Sequence, residues 1–451
     1  MDWLSDLPDS ILSHILSFLP TTKEAAQTSV LSTRWRNLYA SANCLKFYDN
    51  EWFSDQFIAF VNRVLLLHGT APIEEFSLEI VQEIDFDYFD LVRGWLIHVL
   101  NQSVQNLCFA PWYGADATNL LPTSLFSSKT LVNLSLIGLS NVTIPQNVSL
   151  PSLNTLKLEA LFNLTIPGEV CFPSLKTIFV QDEVCFRDDK SFQSLVSCCL
   201  VLEELFIFHY DSLCYPPELC ISNPSLKRLT LQGDSNKLLN LGVDAPSLVY
   251  LNLSYAYVLG IGGSYSLVNL QSLVIVDFTN MDFDDLFEEF EHFGIQCRDI
   301  AIGLLAGITN VQSLYISSAL LRHPLKYRNL VLVEIIRPSI GYGNREGLVE
   351  LLEMTPNLRT LIFRQGVFER LIWDPPKRVA SCFFSHIKVI EVYSFDGEAT
   401  QMEMIEYFLK NACVLESLKV QLRMKGKKRV EIAKKLLTLP RESKMCIVKF
   451  V

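Results

Sequence analysis

The side chains of this chain that could do chemistry are dispersed. Its seven histidines (positions 14, 68, 98, 209, 292, 323 and 386) are isolated from one another. Cys382 and His386 come nearest to a thiol–imidazole pair, but no companion base or metal set accompanies them, and an activated thiol needs one. The twelve cysteines run from Cys44 to Cys446 without a Cys-x-x-Cys pair, and Cys198-Cys199 and Cys214/Cys220 are read as free buried thiols of a reducing compartment. No Gly-x-Ser-x-Gly, P-loop, His-Glu-x-x-His or Gly-x-Gly-x-x-Gly occurs. The chain is therefore read as non-catalytic, with no cofactor and no metal. Two charge runs remain. Lys425-Gly426-Lys427-Lys428-Arg429 with Lys434-Lys435 has the composition of a nuclear-import or polyanion contact, and equally of a solvated helix face. The run 282–289 lacks the Asp-x-Asp-x-Asp-Gly order of a calcium loop and reads as a solvated acidic insert.

Composition narrows the classes further. With 451 residues, 49% hydrophobic and 19% charged, the chain is not disordered and can bury a large core. A formal charge of −11 argues against a general nucleic-acid binder and against attachment to an anionic membrane. Mean hydropathy is high at +0.25, so spans must be tested. The charge-free stretches 130–156 and 245–276 are broken by Asn141, Pro145, Asn147 and Pro151, and by Gly260, Gly262 and Gly263, and neither offers the roughly 20 apolar residues a span needs. The N-terminus is acidic where a signal peptide would be basic, which places the chain inside the cell, in nucleus or cytoplasm. The six Asn-x-Ser/Thr sequons carry no weight there.

What must position any site is a repeat. The pattern apolar-x-x-apolar-x-apolar recurs at Leu131/Leu134/Leu136, Leu153/Leu156/Leu158, Leu175/Ile178/Val180, Leu202/Leu205/Ile207, Leu226/Leu229/Leu231, Leu248/Leu251/Leu253, Leu270/Leu273/Ile275 and Val311/Leu314/Ile316. Looser copies start at Ile73, Val104, Leu330 and Leu358. From Leu131 to Leu270 the starts are 22, 22, 27, 24, 22 and 22 residues apart, within the leucine-rich-repeat range of about 20–29. The last three positions alternate in, out, in, as a strand requires, and one short strand cannot bury its apolar side alone, so parallel strands must stack. Pro-Ser-Leu recurs at 151, 173, 224 and 246 and is read as opening each strand with a proline. The usual asparagine after the motif is absent, so no asparagine ladder is expected. Function then falls to the outward strand positions. Among these, Lys157, Phe179, Phe206, Arg228, Tyr250 and Tyr315 are the candidate target-binding residues, because aromatics and Arg anchor interfaces.

Residues 5–40 differ in kind. Leu12, Ile15, Leu16 and Leu19 follow i, i+3, i+4, i+7 spacing on a helix opened at Leu7-Pro8 and stopped by Pro20, with Ile11 and Phe18 beside that face. Thr21-x-x-Glu24 reads as a capping box for a second helix, and a third carries Leu31, Trp35 and Leu38 on one side. Three short helices cannot bury this apolar surface among themselves, so a partner or the adjoining repeats must cover it.

These residues carry a resemblance. Leu7-Pro8-Asp9-Ser10-Ile11-Leu12, Ile15-Leu16-Ser17-Phe18-Leu19-Pro20 and Thr28-Ser29-Val30-Leu31-Ser32-Thr33-Arg34-Trp35-Arg36 closely resemble an F-box. Trp3 stands where relatives are commonly basic, and Ala25 and Ala26 where they often carry larger aliphatics. Near the C-terminus, Trp373-x-Pro375, Val379 with Cys382, Ile387-Lys388-x-Ile390-Glu391, Phe395-Asp396-Gly397 and Leu439-Pro440-Arg441-Glu442-Ser443 with Cys446 are similar to the FBD domain of plant F-box/LRR proteins. The resemblance implies an α/β fold: a three-helix F-box over 1–48, an irregular leucine-rich-repeat solenoid over 70–365 with parallel strands on its concave face, and an FBD cap over 366–451. It implies a substrate-recognition subunit of a Skp–cullin–F-box ubiquitin ligase, in which Leu7, Pro8, Ile11, Leu12, Ile15, Leu19, Val30 and Trp35 contact or support the Skp-type adaptor, and through it a cullin–RING ligase. The alternatives are a repeat scaffold or sensor whose head merely caps the stack, and a variant with a phosphate-bearing co-ligand, for which the outward positions offer few cations.

Overall fold

A computed structural model describes residues 7–49, 55–168, 170–182, 184–209, 218–233, 240–253, 265–279, 306–317, 326–336, 347–364, 375–376 and 378–451. The acidic run 282–289, Cys214, Trp3 and Trp373 lie outside them. The chain divides into two compact units, Met1–Pro216 with Ile221–Leu226, and Pro217–Cys220 with Lys227–Val451.

The first unit opens on α1 (Asp9–Ser17) and α2 (Thr22–Gln27). Thr21 Oγ1 caps α2 by accepting from the Glu24 amide at 3.2 Å. No third α-helix follows: the chain forms 3-10 turns over Thr28–Val30 and Trp35–Ser41. The run Thr-Ser-Val-Leu-Ser-Thr explains this, since hydroxyls compete for the backbone and Thr28 Oγ1 already donates to the Ala25 carbonyl at 2.7 Å. One sheet of seven successive parallel strands follows among the described residues: β1 (Cys44–Asp49), β2 (Glu75–Ile80), β3 (Asn106–Ala110), β4 (Asn133–Ile137), β5 (Thr155–Glu159), β6 (Thr177–Gln181) and β7 (Glu204–His209), beside a short parallel pair, Ala115–Asp116 with Leu139–Ser140. Helices α3 (Asp55–His68) and α4 (Phe89–Asn101) return the chain between the first three, and α5 (Asp189–Ser197) precedes β7. The first strand belongs to a motif copy, Ala42/Leu45/Phe47, that its small leading alanine hides in the sequence.

The second unit continues the pattern with β8 (Arg228–Gly233), β9 (Tyr250–Leu253), β10 (Ile275–Phe278), β11 (Ser313–Ser317), β12 (Leu332–Ile336), β13 (Thr360–Phe363), β14 (Val389–Phe395), β15 (Ser417–Leu422) and β16 (Ile447–Phe450). Each pairs in parallel with the next. Helices α6 (Gly347–Met354), α7 (Ala399–Asn411) and α8 (Gly426–Thr438) accompany the later strands. Motif leucines are the core of both units, with Leu153, Leu158, Leu229 and Leu251 fully buried.

Four expectations change. The copy placed at Leu270/Leu273/Ile275 is Leu273/Val276/Phe278: both triplets fit the pattern, but Val276 and Phe278 are buried and Val276 pairs with Leu251, whereas Leu270 and Ile275 are only half-buried. The prolines of Pro-Ser-Leu stand four residues before each strand, in the turn, and the motif's serine has a role of its own. Ser152, Ser174 and Ser225 donate to the carbonyls of Lys129, Pro151 and Leu202 one repeat back, at 2.8, 2.6 and 2.9 Å. An amide ladder does exist, displaced by two residues: Asn163 Nδ2 donates to Asn141 Oδ1, and Asn141 Nδ2 to Asp116 Oδ2, each at 3.2 Å. Both asparagines sit at positive φ, a conformation asparagine tolerates better than most residues. Finally, Cys185 is disulfide-bonded, while the other described cysteines form no disulfide. Stacking can bring cysteines of different repeats together, which spacing along the chain does not reveal.

The C-terminal elements carry turn devices of the same kind. Gly397 turns the chain at φ +74, and its neighbours are held by the buried Gln401, whose Oε1 accepts from the Asp396 and Gly397 amides at 3.1 and 3.0 Å. Ser443 Oγ donates to the Leu415 carbonyl at 2.7 Å, repeating the serine tie.

Two stability predictions follow from the first unit. Asn141→Ala loses the amide bonds and strains φ, costing about 1–3 kcal/mol, whereas Asn141→Gly, free of the strain, costs less; urea unfolding of both variants compares them. His68 is buried, and burial pushes its imidazole below the ordinary value of 6.5. The unfolded chain therefore takes the proton more readily, and stability present above that value is lost as pH falls below it. His68→Leu should flatten melting temperature against pH across this window.

Candidate functional site

Two kinds of surface stand out, and the first is the helical head. Its interior is packed, with help from α3 and β1: Leu12 and Trp35 are 0% and 5% exposed, with Leu16, Ala25 and Leu38 also buried. Arg34 locks the head by bonding Asp9 Oδ1 through Nε at 2.8 Å and reaching the Leu7 carbonyl through Nη2. Thr22, buried, accepts the Lys46 amide of β1 at 2.8 Å, which docks the head on the first strand. Against that, Val30 is 85% exposed and Phe18 75%, and Leu31, Ile11 and Ile15 are exposed as well. The eight sequence-predicted residues thus divide. Pro8, Ile11, Ile15 and Val30 face outward, Leu7 and Leu19 are half-buried, and Leu12 and Trp35 lie in the head's interior. Phe18 and Leu31 belong with the outward group. Both were in the sequence, Phe18 beside the apolar stripe of the first helix and Leu31 on the apolar side expected of a third.

The second surface is the outward side of the strands. In the first unit, register aligns Ser135, Lys157, Phe179 and Phe206 in one row across β4 to β7. Phe179 and Phe206 stack with centroids 4.7 Å apart and planes 7° from parallel, and Phe208 extends the stack from Phe206 at 6.2 Å. Lys157 is paired with Glu159 at 2.6 Å.

The second unit carries a polar row instead. Thr230, Asn252, Asp277, Tyr315 and Glu334 follow one another by register across β8 to β12. Arg228 lies over the Tyr250 ring at 4.5 Å, and the Tyr250 hydroxyl and Asn252 amide both donate to Asp277 Oδ2, at 3.2 and 3.1 Å. Burial pushes the Tyr250 and Tyr315 phenols up. Farther along, Arg364 grips the nearly buried Glu334 at 2.6 and 3.4 Å and covers the Tyr393 ring at 4.5 Å. Tyr393 and Lys419 both donate to Glu391, at 2.9 and 2.5 Å. Burial alone would raise the Glu391 carboxyl, but the bonds from Lys419 and Tyr393 outweigh it and hold it low, while Glu391 holds Lys419 high. Phe208, Asp277, Glu334, Arg364, Glu391 and Lys419 were missed in the sequence, though counting outward positions through the looser motif copies reaches most of them. Lys157, Phe179 and Phe206 come together in the first unit. Arg228 and Tyr250 meet in the second, where Tyr315 registers with Asp277.

Among the described residues, no group of three or more His, Cys, Asp or Glu is placed to hold a metal ion. No described helix is long and apolar enough to cross a membrane. Cys382 is buried and pushed up to about 12 by that burial, so it is protonated at neutral pH.

Comparison with known families finds matches in three regions. The F-box domain family matches residues 4–43, the family described as FBD-associated F-box protein At5g56370, LRR repeats matches 160–317, and FBD matches 375–420. The chain is 31% identical to the F-box/LRR-repeat protein At3g59200 of Arabidopsis thaliana, over 98% of this chain and 86% of the relative. F-box/LRR-repeat protein 13 of the same plant is 31% identical over 98% and 95%. The F-box/FBD/LRR-repeat protein At1g78750, also of that plant, is 29% identical over 99% and 96%.

The outward polar row of the second unit gives a prediction. Arg364→Met leaves the Glu334 carboxylate buried and unpaired and should cost about 1–3 kcal/mol in urea unfolding. Adding Glu334→Gln should recover part of that loss, since removing both partners is cheaper than removing one.

Proposed function

From the premise that the chain belongs to the F-box/LRR-repeat family, we propose that it is the substrate-recognition subunit of a Skp–cullin–F-box ubiquitin ligase. The observation that carries this reading is that, with the head packed on α3 and β1, Val30, Phe18, Leu31, Ile11 and Ile15 remain exposed. Apolar side chains left on one folded element are what a partner covers. In this assignment residues 1–48 dock the Skp-type adaptor and, through it, a cullin–RING ligase. Ile11, Ile15 and Val30 make direct contact together with Phe18 and Leu31, flanked by Leu7, Pro8 and Leu19. Leu12 and Trp35 hold the surface in shape from beneath.

Residues 70–365 present the outward strand positions to a target protein, with Phe179 and Phe206 as apolar anchors and Lys157, Arg228, Tyr250 and Tyr315 as polar contacts. Residues 366–451 end the stack. No proton-transfer group is required of this chain. Holding a target beside a charged ubiquitin carrier raises its effective concentration, and that is the catalytic contribution of a tether.

The scaffold reading draws on the bond between Thr22 and Lys46, which makes the head a lid on β1. Deleting residues 1–48 does not separate the two readings, because the cut also removes most of β1 and uncovers Phe76, which Phe47 contacts at 5.8 Å between centroids.

Point variants do separate them. Val30→Asp and Phe18→Asp should each weaken co-purification with the adaptor by about tenfold or more while leaving the melting temperature unchanged, as expected for hot spots on an exposed face. Leu12→Ala should instead lower stability by about 2–5 kcal/mol. Adaptor binding untouched by both aspartate variants rejects the receptor reading in favour of the scaffold.

A further inference from the structure

The end of the second unit carries a charge opposite to that of the chain as a whole. Ten Lys and Arg stand against two Glu between Arg423 and Lys449, in a protein of formal charge −11. Several ride on the exposed face of α8, among them Lys428, Lys434 and Lys435. The one ion pair this helix makes among the described residues is internal, Lys435 to Glu431 at 3.4 Å. Burying Ile432 and Leu436, α8 lies against β16.

Strand β16 is the last of the described stack and has one open side. The Ile447 and Val451 amides donate to the Glu416 and Val420 carbonyls, at 3.0 and 3.1 Å, toward β15. Alternation along a strand turns the Val448 and Phe450 amides to the other side, where no described strand pairs with them. The rim there is apolar and unsealed: Val448 and Phe450 are only half-buried, and Ile447 and Val451 are exposed. A row of backbone donors and acceptors with alternating side chains runs along this edge, with Lys449 on the strand itself and the other lysines on the helix packed against it.

We propose that this edge is a docking strand for an extended, acidic polypeptide segment of a partner protein, which adds beside β16 and lays its carboxylates against Lys449 and the α8 lysines. Strand addition supplies main-chain hydrogen bonds, and the border selects for negative charge. A second copy of the chain fits poorly, because pairing β16 with itself brings two cationic borders together. A lipid headgroup or nucleic-acid phosphate could use the charge but not the open backbone row. This inference stands apart from the adaptor-docking reading and survives its failure.

The test is fluorescence anisotropy of the full chain with a short labelled peptide of alternating Glu and Val. Binding is expected, and rising salt should weaken it. A Gln-for-Glu peptide, and a peptide N-methylated on alternate amides, should each bind about tenfold or more weakly. Lys434→Glu/Lys435→Glu/Lys449→Glu should lose binding. Val448→Pro should lose it without changing the melt, because that amide serves no described strand and an edge tolerates proline. Should Val448→Pro fail to fold, the N-methylated peptide decides the matter on the unaltered chain. Equal binding of the Gln peptide overturns the charge requirement, and equal binding of the N-methylated peptide overturns strand addition. Capture by phosphatidylserine vesicles without peptide binding makes it a membrane site instead, and a dimer abolished by Val448→Pro makes the occupant a second copy.

Discussion

A strand stacked beside another leaves one side covered and the other bare, and everything in this chain answers to that constraint. Interior strands of each unit solve it by having two neighbours, so their problem reduces to alternation: the motif leucines go in and whatever lies between them goes out. The ends cannot solve it that way. At the beginning, two helices and two 3-10 turns fold over β1, with Thr22 taking the Lys46 amide as a neighbouring strand's carbonyl otherwise would. An element recruited to close an edge has a second face, and here that face carries the exposed Val30 and Phe18. Edge closure and an exposed apolar face are therefore properties of one small fold, which is why removing the head is a poor experiment and altering its outer face a good one.

Between the ends, the backbone's polar groups have to be satisfied where the chain turns. The two turn devices are side-chain substitutes for a missing ladder. Serine hydroxyls reach a carbonyl one repeat back at residues 152, 174, 225 and 443. Amides of Asn141 and Asn163 line up behind Asp116. Both devices bond each repeat to its predecessor only, consistent with stability that accumulates by neighbours rather than around one centre.

Much of this was legible in the residues because periodicity is a direct record of burial. From β2 to β15 the strands fall on the motif copies, β10 three residues beyond the expected one, and the FBD segment continues them at Ile390 and Leu418, in register with Leu361 and with each other. Legibility failed where two apolar patterns overlap, as at Leu270 and Leu273, since periodicity alone cannot choose between registers three residues apart. It failed again where a position is defined by conformation rather than hydropathy: the asparagine ladder was sought at the consensus offset and lies two residues on, where φ turns positive. In the head, helical spacing found the apolar residues but could not say which of them the head itself consumes. Leu12 and Val30 look alike in the sequence, and only packing separates the supporting residue from the one left for a partner.

The two outward surfaces also differ in what they can give a partner. In the second unit, Arg228, Asp277, Glu334, Arg364, Glu391 and Lys419 already have partners on the sheet. A ligand that claims one of these groups must leave another unpaired, and a desolvated unpaired charge costs more than the new bond returns. Such a face rejects mismatched partners better than it attracts matched ones. The Phe179, Phe206 and Phe208 stack of the first unit has the opposite character. Its rings are held parallel by the strand spacing before any partner arrives, so little entropy remains to be lost on contact. Burying apolar area against such a surface contributes roughly 25 cal/mol per Å² before the cost of association is subtracted. An apolar ligand would therefore gain more from the phenylalanine row of the first unit than from the charged row of the second.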